Sequence, residues 1–522
     1  MRKGLHSSGG VGRITRILLY IAGSLLVLAV AGYFIANAAV RRKVDAALRD
    51  LPAGISVRYR SLHTNILTGT LSMEGIEAAY RPDGIGGHRL SIGELTVSGF
   101  SVFNWWRYRR VRIAEIRANS VTAETDDVLF ERDSSLGGLR MPKLDALIGR
   151  LDINGIKLSG MRHAKREFML EGDLRLDSVT ADSFRAVRLT ASRASYSPPG
   201  ADETIVVRQL KADSRQRSLR VDSLGIMPTL DAVAIGRLKG HQVDVVSGAV
   251  EDIEATGADI PGLLKRRLEA EEVRLERARI HIFRDRRLPL AAGDKPMPMA
   301  GLEQLPVDLR VGKLLLGTTR LEYEEFPKVG NETGTLVIRD FHGTMTPLVN
   351  RPRPGDPPDI TVKTEGSLMG SGTVSATTRM PFHPGGMYVV DGAFHDLDVT
   401  RLNNPAENLG QLHLESGMLN SLAFHFDMGP ERSTGKIVGE YHNLVADKLK
   451  EKNGQLKTDK FKSFALKKLI IPKNKDKSLP VRRRTGKVDY KRDRQRYFSY
   501  YLLHSLLVGV KKSFTLGFLL PG

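Results

Sequence analysis

The 522-residue chain contains no cysteine, which excludes disulfides, thiolate catalysis and cysteine-ligated zinc or iron–sulfur centres. It also lacks the short motifs of common chemistries. There is no H-E-x-x-H, no G-x-S-x-G nucleophile elbow, no G-x-x-x-x-G-K-[ST] phosphate loop and no complete G-x-G-x-x-G. Paired glycines at 84–87 and 370–372 read as turns or bulges. His395 with Asp396 and Asp398, in GAFHDLDV, comes nearest to an acid–base cluster, yet strand alternation sends neighbouring side chains to opposite faces. The expectation is a protein that is not an enzyme, with no catalytic residue, no metal and no cofactor.

The body of the chain also lacks net charge. Of the total of +20, residues 1–50 carry +6, residues 51–430 carry −1 and residues 431–522 carry +15. A nucleic-acid-binding fold shows its basic face within the structured body, so nucleic acid is not an expected partner. An anionic membrane surface, which attracts each nearby Lys or Arg by roughly 1 kcal/mol, fits two basic ends better. With 41% hydrophobic and 26% charged residues, the bulk should fold.

Residues 17–40, ILLYIAGSLLVLAVAGYFIANAAV, form a charge-free run of 24, with Arg13 and Arg16 before it and Arg41, Arg42 and Lys43 after it. A helix rising about 1.5 Å per residue covers a hydrocarbon core of roughly 30 Å over that length. The run reads as a transmembrane helix following a cytoplasmic segment, 1–16. Ala36-Asn37-Ala38 offers a cleavable signal peptide as the alternative, against which stands a run longer than a usual signal core. The two flanks are nearly equally basic, so the residues alone do not orient the helix.

Beyond residue 50 short apolar alternation dominates, the period of half-buried strands. One arrangement, apolar-x-apolar-x-x-apolar-x-apolar, recurs: Leu90, Ile92, Leu95, Val97; Leu151, Ile153, Ile156, Leu158; Leu219, Val221, Leu224, Ile226; and Leu309, Val311, Leu314, Leu316. A step of three in a period-two structure turns the second pair to the other face unless a bulge absorbs a residue. The pattern predicts a sharply twisted or curved sheet with an apolar concave face. Leu90, Ile92, Leu151, Ile153, Leu219, Val221, Leu309, Val311, Leu314 and Leu316 are its expected lining.

A longer repeat relates 95–121 to 252–280, with Gly99 matching Gly257, Val102 matching Ile260, Trp105-Trp106 matching Leu263-Leu264 and Arg109 matching Arg267. Each copy reads as strand, short basic helix and returning strand, an organisation that buries apolar faces by stacking on neighbours. The tryptophans read as a buried helix face or an interfacial membrane contact. The expected fold is mainly β: an elongated, curved, repetitive β-groove with short helices, plus one N-terminal transmembrane helix. Its parts are an N-terminal body over 41–287, a Pro-rich loop over 288–306, a C-terminal β part over 307–447 and a basic tail over 448–522. Prolines in NRPRPGDPP, 350–358, mark a further break.

The tail up to residue 496 reads as a flexible solvated segment or a membrane contact. It then offers 497–510, 14 residues without a formal charge, which as a helix reach about 21 Å and fall short of a bilayer core. Tyr500, Leu503, Leu507, Val510 and Phe514 fall on one helical face, with Lys511 and Lys512 at its end to meet phosphate groups. The segment is expected to be an amphipathic helix that lies on a membrane or caps the groove.

The chain resembles the AsmA-like envelope proteins related to AsmA and TamB, in the branch with domains of unknown function. The resemblance rests on VRRKVDAALRDLPAGISVRYRSLHTNILTGTLSMEGIE after the apolar run, on EVRLERARIHIFRD followed by LPVDLRVGKLLLGTTRLEYEEF, on DGAFHDLDVTRLNNPAENLGQLHLESGMLNSLAFHFDMGPERSTGKIVGEYHNL, and on RDRQRYFSYYLLHSLLVGVKK, in that order. It implies a single-pass inner-membrane anchor, a periplasmic body with an apolar β-groove, and phospholipid binding or transfer supporting outer-membrane homeostasis. Phospholipids and an envelope protein are the expected partners. A non-enzymatic scaffold that assists outer-membrane protein assembly by strand-edge pairing is the alternative.

Overall fold

A computed structural model describes residues 55–65, 69–80, 87–99, 111–125, 146–162, 165–180, 183–263, 265–383, 385–452, 455–458 and 482–513. The expected transmembrane run, Trp105-Trp106 and Phe514 lie outside these residues. Among them no helix is long and apolar enough to cross a membrane. The chain is mainly β, with a few short helices. It divides into two compact units: 1–224 with 254–269, and 225–253 with 270–522.

In unit 1, β1 (Ile55–Arg58) and β2 (Ser61–Asn65) both pair antiparallel with β3 (Thr70–Tyr80). Antiparallel pairing continues through β4 (His88–Ser98) to β5 (Val111–Thr125). Between β5 and β6 (Ala146–Arg162) the pairing is parallel. β7 (Lys165–Val179), β8 (Ala186–Tyr196) and β9 (Glu203–Asp213) then follow antiparallel, and β10 (Ser218–Pro228) pairs with β9. β10, β11 (Asp244–Thr256) and β12 (Arg267–Asp285) each contribute residues to both units. Helix α1 (Ala232–Lys239) belongs to unit 2, where Asp231 caps it by accepting from the N–H groups of Val233 and Ala234. Helix α2 (Ile260–Leu263) belongs to unit 1.

The apolar motifs of unit 1 lie in register. Leu95 faces Met73 and Ala118, and the row continues through Ile153 to Leu174. Both halves of the first two motifs are buried together: Ile92 and Leu95 are 0% exposed, and Leu151, Ile153 and Leu158 are each 1% exposed, whereas in the third only Val221 is buried. The step of three is absorbed along one transverse line. Gly75 in β3, Ser120 in β5 and Gly155 in β6 take left-handed φ values of 61°, 56° and 63°, and each such residue resets the alternation of its own strand. The line ends at β7, where Leu174 and Leu176 keep the alternation, and a register shift between Ile153 and Ile156 takes up the mismatch; the left-handed residue of β7, Ser178 with φ of 52°, lies nearer the end of that strand.

The two copies of the longer repeat match where both are described. Gly99 and Gly257 leave β4 and β11 with φ of 68° and 65°, and β5 and β12 return. In the second copy the expected basic helix is only the four-residue apolar turn α2, with Lys265, Arg266 and Arg267 following it, and the carboxylate of Asp259 ties it down by accepting from Arg267 at 2.5 Å and from the Gly262 N–H at 3.1 Å.

In unit 2, β13 (Asp308–Phe326) pairs antiparallel with β14 (Gly334–Thr346) and β15 (Leu348–Val349). β14 continues to β16 (Asp359–Leu368), β17 (Gly372–Pro381), β18 (Tyr388–Asp398), β19 (Leu412–Met428) and β20 (Arg432–Lys452), all antiparallel. β20 also pairs with β21 (Gln455–Thr458) and, over ten residues, with β22 (Arg482–Lys491). Three helices accompany these strands: α3 (Pro298–Glu303), α4 (Asn403–Gly410) and α5 (Phe498–Ser513).

Two sequence expectations change here. The Pro-rich stretch 288–306 holds α3, with Pro298 in its first turn and Met297 and Met299 buried, because proline at the first helical position removes a donor that would have no partner. Residues 482–491 of the basic tail are an integral strand, in which Val488 and Tyr490 alternate with charged, outward residues. The 350–358 break is a turn stitched by Asn350, 0% exposed, whose side chain accepts from Leu309 N at 2.8 Å and donates to Val307 O at 2.7 Å.

Candidate functional site

The register of unit 2 assembles one apolar face. Leu314 lies opposite Met345, Met345 opposite Val362, Val362 opposite Thr378 and Thr378 opposite Val390. The row goes on from Val390 through Phe426 and Gly435 to Val488. A parallel row runs from Leu316 through Gly343, Thr364, Ala376, Gly392 and Phe424 to Ile437 and Gly486. Positions one residue away carry Leu315, Thr344, Lys363, Thr377, Asp391, His425, Lys436 and Lys487, so from β14 onward the opposite face is polar. Asp391 and His425 pair on it at 2.7 Å, and that hydrogen bond, against some burial, raises the His425 pKa above 6.5.

The apolar face differs along its width. Towards β22 it is fully buried: Val390 is 1% exposed, and Phe426, Ile437 and Val488 are each 0%. Towards β13 and β14 its residues Leu314, Leu316, Leu336, Ile338 and Met345 are only half-buried. The cover over the buried part is α5 with α3. Glycines set the closeness of α5: a Cβ on Gly486 would stand 2.1 Å from the Gly509 carbonyl oxygen, and one on Gly509 would meet Val488 at 2.8 Å. Ser433 and Ser505 share a buried hydrogen bond of 2.6 Å, and the Tyr501 hydroxyl donates to Gly429 O at 3.2 Å. Burial pushes the Tyr501 hydroxyl up to about 12. On α3, the Met299 N–H donates to the Tyr388 hydroxyl at 3.0 Å.

The segment is thus a helix, as expected, but the side that meets the sheet is the stripe Tyr501, Ser505, Gly509 and Ser513, all buried. Of the expected apolar face, Leu503 is 50% and Leu507 38% exposed, while Tyr500, Val510 and Lys511 are half-buried and Lys512 is exposed. Leu503 and Leu507 therefore face away from the sheet, while the small and polar stripe sits against it and Leu502, Leu506 and Val510 flank that stripe and pack on the core. Close approach explains the inversion, since serine and glycine let the helix backbone sit against β22 where leucine would hold it off. Arg496, near the start of α5, donates to Gln242 at 3.1 Å.

The ten expected lining residues separate into two groups. Ile92, Leu151, Ile153, Val221 and Val311 are 5% exposed or less and belong to closed packing. Leu90, Leu219, Leu309, Leu314 and Leu316 are half-buried. Of these, Leu314 and Leu316 lie on the assembled face of unit 2. The pattern search missed Met345, Val362, Phe424 and Phe426, although β19 carries the alternating signal LAFHFDM. His395 and Asp396 are exposed, and Asp398 caps a 3-10 turn by accepting from Thr400 N at 3.0 Å. Among the described residues no group of three His, Asp or Glu side chains could hold a metal ion. No known family model matches the chain, and no characterised protein matches it in sequence.

Proposed function

We propose that the protein is a membrane-anchored lipid-binding or lipid-transfer protein of a Gram-negative envelope, with its body in the periplasm. The observation that carries the reading is the apolar face of unit 2, half-buried over β13 and β14 and continuous in register with the part covered by α5. An apolar strip open on one side and backed by a polar face suits acyl chains, which gain about 0.8 kcal/mol for each methylene removed from water. The AsmA-like resemblance and the charge-free run at 17–40 support the anchor and the compartment.

The test is native mass spectrometry of the full chain, extracted in mild detergent, with phospholipid quantified after denaturation. Copurifying phospholipid that is lost in Leu314→Asp and Met345→Asp, with the fold retained, supports transfer or storage on this face. A lipid-free chain that still binds unfolded outer-membrane barrel strands would overturn it in favour of a scaffold.

A further inference from the structure

Unit 1 carries a second feature on the polar side of its sheet. At the ends of β6, β7, β8 and β9 lies a cavity of about 90 Å³, lined by Arg150, Arg175, Arg188 and Arg215 together with Asp177 and Asp213. The arginines come from three strands and the β9–β10 turn, so the register itself gathers them. Two stand directly opposite each other, Arg175 on β7 facing Arg188 on β8. Like charges in facing ladder positions are destabilising, so this pair requires compensation.

The compensation present is incomplete. Asp152, 3% exposed, accepts from Arg175 at 2.5 Å and 3.3 Å. Asp213 accepts from Arg188 at 2.9 Å. Asp177 is shared, at 2.8 Å from Arg215 and 3.8 Å from Arg150. Burial alone would raise the Asp213 pKa, but the Arg188 hydrogen bond and the backbone N–H groups of Gln216 and Arg215 hold it below the usual range. Glu115 faces Arg150 from β5 but is held by Arg117 at 2.7 Å, so four carboxylates answer five permanently charged guanidinium groups, and the three aspartates sit lower and more enclosed than the arginines around the cavity, which are 43–67% exposed. Pinned at one edge, the planar forks keep other N–H groups for the cavity side, the arrangement that recognises tetrahedral oxyanions.

We propose that this cavity binds a phosphate monoester or inorganic phosphate, held between Arg175 and Arg188 with Arg150 and Arg215 at its rim. The bound dianion relieves the facing-arginine repulsion and links four segments of unit 1. The proposal does not depend on the apolar face of unit 2, and its readout is phosphate rather than acyl chain.

The test is equilibrium dialysis of the full chain in neutral detergent against labelled inorganic phosphate at constant ionic strength. Saturable binding of one phosphate per chain is expected, weakened about tenfold or more in Arg175→Gln and in Arg188→Gln, with Arg188→Lys intermediate because the charge stays and the fork is lost. Arg220→Gln, in an exposed pair with Glu254 of the same unit, should leave binding unchanged. Should either glutamine variant unfold, protection of 186–188 from hydrogen exchange by phosphate in the wild-type chain decides instead. Non-saturable uptake, binding equal in wild type and folded glutamine variants, or no phosphate-dependent protection overturns the proposal. Glycerol 3-phosphate and dihexanoyl phosphatidic acid identify the source: equal affinities point to a free phosphate compound, and tighter binding of the lipid points to a headgroup.

Discussion

Asn154 of β6 donates from its side-chain amide to the side-chain oxygen of Asn119 on β5 at 3.0 Å, and Asn119 donates in turn to Glu94 on β4 at 3.1 Å. This ladder runs beside the transverse line where β3, β4, β5 and β6 reset their alternation together, β3, β5 and β6 through a left-handed residue. Next to it the Gly155 N–H reaches Asp173 at 2.8 Å. Regular ladder bonding is interrupted there, and side chains take up part of it.

Stability should respond to that line with opposite signs at two positions. A left-handed conformation costs an L-residue about 1–2 kcal/mol relative to glycine. Gly155→Ala should therefore destabilise by about that amount, although a Cβ there meets nothing closer than 3.5 Å. Ser120→Gly should stabilise, by less, because glycine gives up part of the gain in chain entropy. Urea unfolding of the full chain in detergent, followed by far-ultraviolet circular dichroism, checks both. Equal signs would refute the account of the line.

Inside and outside are separable one residue apart. Ile92 is 0% exposed and Ser91 is exposed. Ile92→Asp should destabilise unit 1 by several kcal/mol, since a buried carboxylate has no partner there, while Ser91→Asp, which would face Glu77 across the ladder, should cost no more than about 1 kcal/mol. Limited proteolysis at increasing urea would distinguish them, and similar profiles would mean the faces are misassigned.

For α5 the sensitive positions are the glycines. Gly486→Ala should lift the helix from β22, since its Cβ would collide with the Gly509 carbonyl oxygen. Faster hydrogen exchange over 498–513, with β16 to β19 unchanged, is the expected outcome. Leu503→Asp, on the exposed side, should leave exchange unaltered and weaken binding of the full chain to anionic vesicles, if that side meets a membrane.

The same helix should loosen in acid. His504 stacks on Tyr500 at 3.9 Å; burial first, then Arg286, Arg496 and Lys511, lower its pKa from 6.5 to about 4, with Asp493 acting weakly in the opposite sense. A depressed histidine pKa means that the unfolded chain takes up the proton more readily. This contribution to stability is therefore whole above pH 6.5 and is lost as pH falls towards 4. His504→Gln should flatten the dependence of the α5 exchange rate on pH across that window. An unchanged dependence would assign it to other groups.

Strands were the most legible elements, because alternation in sequences such as LSIGELTV and LAFHFDM is also the burial pattern of the folded chain. The step of three was legible too, but its resolution was not. A bulge in each strand and a line of left-handed residues shared by neighbours produce the same spacing. Less could be read where the folded chain uses small or charged residues for close packing. β22 offers only Val488 and Tyr490 among its arginines and lysines, and Gly486 matters only because Gly509 passes over it. For α5, apolar spacing selected Leu503 and Leu507, whereas contact with the sheet goes through Tyr501, Ser505 and Gly509. The arginine cavity left no local signal at all, since its four members are distributed over 150–215 and only strand order and register bring them together.

The position of α5 in the chain also has a consequence in time. Ile437 lies under Gly509, more than seventy residues downstream, and its neighbour Val488 arrives only in the last third of that stretch. A ribosome that has just made β18, β19 and β20 has produced a sheet whose apolar side has only α3 upon it, and it adds the rest of the cover when α5 emerges. Throughout that interval the nascent sheet presents Phe424, Phe426 and Ile437 to its surroundings, so a chaperone, or the lipid proposed for this face, has its first opportunity to bind before synthesis ends.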